Sequence, residues 1–383
     1  MPTDLTAALA RLQEDGLLRQ RRITESAQGA RVVIDGREYL SFASNDYLGL
    51  AAHPDIADAA CEAARKFGIG VGASHLLTGH HALHDAFETA FARFVGLESA
   101  LLFSTGYMAN LGVITSLTGR HDAIFADRLN HASLVDAARL SGADHLRYPH
   151  NDLADLERRL AASNAATKLI VTDTVFSMDG DTARVPELLS LAEKYDAWLY
   201  LDDAHGFGVL GEHGQGILAS CPLPLFHRLI YLATFGKAAG VAGAAVAGST
   251  PLIEYLVNRA RTWIYTTAQP PMLAAAALKS LELIVAGGAR RDRLAMLIMH
   301  LRERARRLPW PLLDSSTPIQ PLMVGDNTTA LRLSQQLAER GIWLPAIRPP
   351  TVPEGTARLR ISLSAAHSLE DIDRLCDALE AWA

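Results

Sequence analysis

Residues 228–240, "RLIYLATFGKAAG", place a single lysine just after an apolar run and among small residues. The run reads as a buried strand ending near Thr234. Lys237 then has two readings. Either it marks the solvated end of that strand, or apolar neighbours crowd its amine, weaken its hold on the proton and make it a Schiff-base nucleophile toward carbonyls. Working outward, the same pattern recurs. "SALLFS", "DAIFA", "DHLRY", "KLIVTD" and "AWLYLDD" are further strand-like runs, separated by helical stretches. Strands this apolar, alternating with helices, predict an α/β fold with a mostly parallel sheet covered on both faces. Ligands of such sheets gather at the carboxyl ends of the strands.

The flanks read differently. "MPTDLTAALARLQEDGLLRQRR" carries acids early and charge throughout, so it predicts an amphipathic helix and not a signal peptide. In "RVVIDGREYLSF", Asp35-Gly36 joins two β-prone runs as a hairpin. Beyond two helical patterns spanning about 270–306, "IQPLMVG", a helix, "GIWLPAI", "ARLRISLS" and a last helix from about Ser368 suggest a smaller α+β unit. The expected division is an N-terminal helix and hairpin over 1–45, a large ligand-binding domain over 46–285, and a small domain over 286–383 that packs with the N-terminal segment.

Composition excludes several classes. A formal net charge of −6, with acids and bases mixed along 383 residues, leaves no broad basic face for nucleic acid. Cys61, Cys221 and Cys376 are too few and too scattered for a disulfide framework or a cysteine zinc site, and a reducing cytoplasm is expected. No uninterrupted apolar run reaches membrane-spanning length. "GIGVGAS" fails GxGxxG because Ala73 occupies the third glycine's place, which argues against a nicotinamide site. In "GHHALHDAFE", His80 and His84 would share a helix face, but an exposed helix start is the expectation and no metal is predicted.

The strand ends carry the polar residues. "AWLYLDDAHGFG" ends at Asp202 with His205 three residues on, "KLIVTDTVFSMDGD" leaves Thr172, Asp173 and Ser177 beyond its run, and "YLATFGK" delivers Thr234 and Lys237. A pyridine aldehyde cofactor needs this set, because an acid beside the ring nitrogen keeps it protonated and electron-withdrawing. Asp202 is the expected partner of that nitrogen, since Asp203 must face the opposite way. In "LLFSTGYMANLGVI" a strand gives way to a helix at Ser104-Thr105-Gly106, a candidate phosphate cradle, with Tyr107 either in the core or near the ring. His131, at the start of another helix, could stack on a pyridine ring and move protons.

Taken together, "SNDYLGL", "STGYMAN", "NHASLVDA", "VFSMDGD", "LDDAHGFGVLG", "TFGKAAGVAGAAV" and "RPPTVPEGTARLRISLSAAH" resemble the α-oxoamine synthases, a branch of the fold-type I enzymes that use pyridoxal 5′-phosphate (PLP). The resemblance implies that Lys237 holds the cofactor, Asp202 pairs with the pyridinium and His131 stacks on the ring. It places His205 and Ser177 on the phenolic-oxygen side, Gly106 and Tyr107 along the cofactor, and Thr234 on the phosphate. Arg360 would hold an amino-acid carboxylate, and Asn45 and Thr351 would touch substrate. The family's N-terminal substrate arginine falls among Arg19, Arg21 and Arg22, with Arg19 favoured. Members are homodimers, so Thr266 or Thr267 would reach the neighbour's phosphate. "IQPLMVGDN" and the C-terminal motif imply L-alanine and a pimeloyl thioester, on coenzyme A or an acyl carrier protein, as substrates; sister reactions join glycine or serine to other acyl-CoAs. Asp173 departs from the pattern, standing where the family leads one to expect glutamate.

Overall fold

The computed structural model describes residues 4–15, 17–221 and 226–382. Its centre is a seven-stranded sheet. In spatial order the strands are Ser99–Phe103, Ala244–Gly248, Leu229–Thr234, Trp198–Asp202, Lys168–Asp173, Ala123–Asp127 and Asp144–Tyr148. Only Ala244–Gly248 runs against the others, antiparallel to both of its neighbours. Apart from Asp144–Tyr148 at the edge, the strands are almost wholly buried, as their unbroken apolar sequences require. Two apolar layers sandwich the sheet, one holding Phe87, Phe91 and Phe235, the other Leu101, Val113 and Trp263.

Six of these strands were predicted. The seventh, "AAVAG", was not, because alanine and glycine have low strand propensity. Small side chains suit it to its place. A Cβ on Gly248 would approach Leu252 Cδ2 to 2.6 Å, so the following helix packs closely on this strand.

Asp35 and Gly36 both adopt positive φ, 49° and 76°, the combination that lets a two-residue turn follow the twist of Arg31–Ile34 and Arg37–Ser41. The hairpin does not stand alone. Ile342–Trp343 pairs parallel to Arg37–Ser41, while Ala346–Ile347 joins a second small sheet with Ala357–Ser362 and Ile319–Gly325. "GIWLPAI" therefore divides between two sheets around Pro345, which has no backbone N–H to continue a ladder. The N-terminal helix is Leu5–Glu14, capped by the Asp4 carboxylate. Residues 1–3 and 16 of the stretch read as helical lie outside the described residues. Among the described residues, no single helix is long and apolar enough to cross a membrane.

Candidate active site

The carboxyl ends of the central strands open into a cavity of about 400 Å³. Lys237, Asp202, His131, His205, Thr234 and Gly106 all line it, as do Asn45 and Tyr107. Residues separated by more than a hundred positions thus converge where the sheet geometry brings them.

Lys237 lies in a compact loop. Its carbonyl accepts from Gly240 N–H at 2.9 Å, and Val241 N–H returns to Phe235 O at 2.8 Å. Gly240 has φ 66°, and a Cβ there would sit 2.4 Å from Ala51 N, so the loop presses on the backbone of the 50–51 turn. The glycine is required by that approach. Burial lowers the Lys237 amine to about 8; the carboxylates of Asp202 and Asp173 oppose the fall, and the Arg360 guanidinium adds to it. Its place on the cavity wall with Asp202 and His131 favours the second reading of Lys237 over a solvated strand end.

Asp202 and Asp203 part as the strand pleat demands. Asp202 faces the cavity, where Asn110 Nδ2 donates to Oδ2 at 2.8 Å and Ala204 N–H to Oδ1 at 3.1 Å. Asn110 is itself fixed, since the Tyr200 hydroxyl donates to its Oδ1 at 2.6 Å and its Nδ2 also reaches Ser133 Oγ at 2.8 Å. Asp203 turns into the protein and gathers Tyr231 OH at 2.7 Å, Ile217 N–H at 2.9 Å and Thr174 Oγ1.

His131 caps the helix Ala132–Ser141. Its Nδ1 accepts from Ser133 N–H at 3.3 Å, which leaves the proton of the neutral ring on Nε2. Burial lowers its pKa, as does Lys237, while Asp202 pulls the other way. Its own backbone N–H donates to Asp173 Oδ2 at 2.6 Å. Asp173 stands beside Asp202 in strand register, and burial followed by the neighbouring Asp202 carboxylate raises it well above the usual carboxylate range.

His205 completes the opposite side. Its Nδ1 lies 2.7 Å from Tyr47 OH, which donates to Asn45 Oδ1 at 3.1 Å. Burial, then the Lys237 and Arg360 charges, hold the His205 imidazole neutral. Arg360, only 9% exposed, lies behind this group and not on the cavity wall; it donates to Asn45 Oδ1 at 3.1 Å and to Ser362 Oγ at 2.6 Å.

A phosphate group fits the opposite end of the cavity. Thr105 Oγ1 caps Met108 N–H at the start of the helix Gly106–Leu117, whose first N–H groups have no intrahelical acceptor. Thr234 Oγ1 is buried without a hydrogen-bond partner among the described residues, beside Gly106, whose added Cβ would lie 2.6 Å from Thr234 Cγ2. An orphaned hydroxyl, a helix start and a glycine approach form a cradle for an oxyanion. With a poised amine and a strand-end carboxylate, the residues present fit PLP.

Other expected residues lie elsewhere. Ser177 does not line the cavity; its carbonyl accepts from Arg360 Nε. Tyr107 is 46% exposed, excluding the core alternative, and donates to Asp136 Oδ2 at 2.6 Å. Arg19 meets Thr351 Oγ1 at 3.2 Å, whereas Arg22 pairs with Asp35 at 3.1 Å. Thr266 is half-buried and Thr267 exposed, both away from this cavity. His80 is not on the helix, which begins at Ala82 with His81 as its cap. Ligand atoms of His75, His80 and His84 fall within 4.8 Å of one another, but His84 Nδ1 accepts from His81 N–H and Nε2 faces Gln269 O at 2.8 Å, so neither nitrogen is left for a metal. Sequence reading missed Asn110, whose signal was a lone amide within an apolar helix.

Residues 37–379 match the family model for aminotransferase class I and II. Fold and site define a fold-type I PLP-dependent enzyme. A protein from Herminiimonas arsenicoxydans named 8-amino-7-oxononanoate synthase is 59% identical over 98% of this chain and 98% of its own length. The solved 8-amino-7-oxononanoate synthase from Francisella tularensis superposes with TM-score 0.79 at 31% identity, covering 90% of this chain and 97% of that one. Serine palmitoyltransferase with PLP superposes with TM-score 0.91 at 30% identity, covering 98% and 96%. The chain belongs to the class I and II aminotransferase family and, within it, to the 8-amino-7-oxononanoate synthases, as the resemblance to α-oxoamine synthases implied.

Proposed function

We propose that the protein condenses L-alanine with a pimeloyl thioester, carried by coenzyme A or an acyl carrier protein, and releases carbon dioxide to give 8-amino-7-oxononanoate for biotin synthesis. The observation that carries this reading is Lys237 lining one cavity with Asp202 and His131, within a chain 59% identical to a synthase of that name. PLP, when bound, supplies a protonated pyridine ring that draws electrons from the substrate α-carbon.

The chain's own residues do the rest. Lys237 Nζ, lowered by burial to about 8, would hold the cofactor aldehyde and, once released, would take the alanine α-proton. Asp202, oriented by Asn110 and Ala204, stands for the ring nitrogen. His131, with its proton on Nε2, would cover the ring and donate to the thioester carbonyl. Thr234, Gly106 and the adjacent helix start would hold the phosphate, and His205 would border the phenolic oxygen. Asn45 and, behind it, Arg360 would receive the alanine carboxylate, and Arg19 and Thr351, in contact with each other, would touch substrate.

Ser177 supports Arg360 through its carbonyl. Tyr107, on the cavity wall, would border the ring. A second copy of the chain would bring Thr266 or Thr267 to the phosphate, in a cytoplasmic homodimer. The chain would divide into 1–45, 46–285 and 286–383, with the amino-acid arginine contributed by the small domain. The test is free-thiol release from pimeloyl-CoA and from pimeloyl-acyl carrier protein by the PLP-loaded enzyme, with L-alanine, glycine or L-serine added separately. Release that requires alanine is expected. Release that requires glycine or serine would overturn the assignment.

A further inference from the structure

The loop of residues 174–183 is held from two sides. Val175 bridges Thr182, Phe176 N–H donates to Asp181 O at 3.0 Å, and Gly180 N–H to Phe176 O at 2.8 Å, so residues 176–181 form a tight tip. One side of the tip receives the strand Ala357–Ser362: Arg360 Nε donates to Ser177 O, and Arg358 donates to Met178 O at 3.2 Å and to the Asp179 carboxylate. At the root of the tip, His150 Nε2 lies 2.7 Å from Asp181 Oδ2. The other ring nitrogen, Nδ1, lies 3.0 Å from Asp127 Oδ1, at the end of the strand Ala123–Asp127. Asn151 seconds the contact, donating through Nδ2 to Asp181 Oδ2 at 3.1 Å and to Thr182 O at 3.2 Å, while its N–H reaches Asp127 Oδ2 at 2.9 Å.

We propose that His150 is a positioning residue for the amino-acid carboxylate: bridging Asp127 and Asp181, it anchors the 176–181 tip to the large sheet, and the tip's Ser177 carbonyl sets the Arg360 guanidinium. The inference rests on the reading of Arg360 as the carboxylate holder. Both ring nitrogens face carboxylates, so the bridge works as an imidazolium with two donors. Burial opposes that charge, but the hydrogen bonds to Asp127 and Asp181 overcome it and carry the imidazole up to about 10. Asn151 spans the same two carboxylates with neutral donors, so His150 is the charged member of the link among the described residues. On the far side, Ser315 and Thr317 hydroxyls donate to Gly180 O at 2.8 and 3.0 Å, which ties the tip to the chain near the small sheet and not to the large one.

The position of Arg360 is thus shared between two parts of the molecule. Loosening the anchor at Asp181 frees the tip to follow the small sheet, and the guanidinium loses its acceptor on the large-sheet side, Ser177 O, while keeping Asn45 Oδ1 and Ser362 Oγ. Alanine binding suffers from that change. The thioester and the cofactor phosphate, which meet other residues, do not.

The test compares PLP-loaded wild type with His150→Gln and Asp181→Asn, measuring KM for alanine, KM for pimeloyl-CoA, PLP affinity by fluorescence and the spectral titration of bound PLP with alanine alone. Each variant is expected to raise the alanine KM and the alanine midpoint of the titration about tenfold, the size of one lost charged hydrogen bond, while the pimeloyl-CoA KM and PLP affinity stay within about twofold. Asp181→Asn keeps the side-chain shape, so it decides the matter if His150→Gln does not fold. Unchanged alanine parameters, or an equal change in all four quantities, overturn the inference. An Arg360→Lys enzyme with wild-type alanine KM refutes the carboxylate reading itself. An Arg360→Lys effect without an effect in the other two variants refutes the anchor alone.

Discussion

Asp202 and Asp203 are chemically identical neighbours, and the same substitution should have opposite consequences at the two. Asp203 is fully buried, and burial raises its carboxyl from an ordinary 3.8 to about 7, against the pull of Thr174, Tyr231 and the Ile217 N–H. An asparagine can occupy this site in one orientation. Its Oδ1 would accept from Ile217 N–H and Tyr231 OH, and its amide would donate to Thr174 Oγ1. The Tyr231 hydroxyl also has Gln215 O at 3.1 Å as a second acceptor. The buried Thr174 hydroxyl, which donates to Asp203, loses that acceptor, so the substitution should cost about 1–2 kcal/mol near pH 6.

The pH dependence gives the sharper test. A carboxyl whose folded pKa is raised is more protonated in the folded state than in the unfolded one, so its stabilising share is complete below about 4 and is lost as pH rises through about 7. Between about pH 5 and about pH 8 the Asp203 contribution falls by roughly 2–3 kcal/mol on this linkage. Asp203→Asn removes that slope. Urea unfolding of wild type and variant across this range should show the variant gaining on the wild type by about that amount, with near-normal turnover. Asp202→Asn should instead keep the folding midpoint and lose at least about a hundredfold in kcat. A destabilisation of more than about 2 kcal/mol in Asp203→Asn at every pH, or a loss of turnover matching Asp202→Asn, would refute the opposed orientations as the cause.

Two further outcomes follow from the cavity. Because burial lowers the Lys237 amine to about 8, its neutral fraction grows as pH rises through that value, and PLP uptake by the apoprotein should accelerate to a plateau with a midpoint near 8; a midpoint near 10 in stopped-flow absorbance would contradict the geometry. Gly106→Ala puts a Cβ 2.6 Å from Thr234 Cγ2 and should weaken PLP binding at least about tenfold, read by fluorescence quenching, with thermal stability nearly unchanged; intact affinity would remove the phosphate from this cradle.

Much of the framework is legible in the chain because burial on both faces forces strands to be continuously apolar, and the first polar residue after each run then marks the ligand end. Lys237, Asp202, Thr234 and the Ser104–Gly106 turn were found this way. Periodicity reports nothing about a strand of alanines, so Ala244–Gly248 went unseen although it fills the sheet between two predicted neighbours. Nor does it report partners. Arg19 and Thr351 are 332 residues apart, and Asn45 and Arg360 are 315 apart, distances over which only the assembled fold decides contact. Asn110 was hidden for another reason, since a buried amide inside a helix is recognisable only when its acceptor, Asp202, is known. The histidines of "GHHALHDAFE" misled through register: the helix starts two residues after His80, and His84 spends both nitrogens on backbone groups.

The central claim is that one particular lysine carries the cofactor. The chain has five lysines, Lys66, Lys168, Lys194, Lys237 and Lys279, and only Lys237 lines the cavity. Borohydride reduction of the PLP-loaded enzyme, followed by proteolysis and mass mapping, assigns the label directly. The account predicts a pyridoxyl group on Lys237 alone, at one per chain. A label on any of the other four, or no covalent label in an enzyme that turns over, would contradict it.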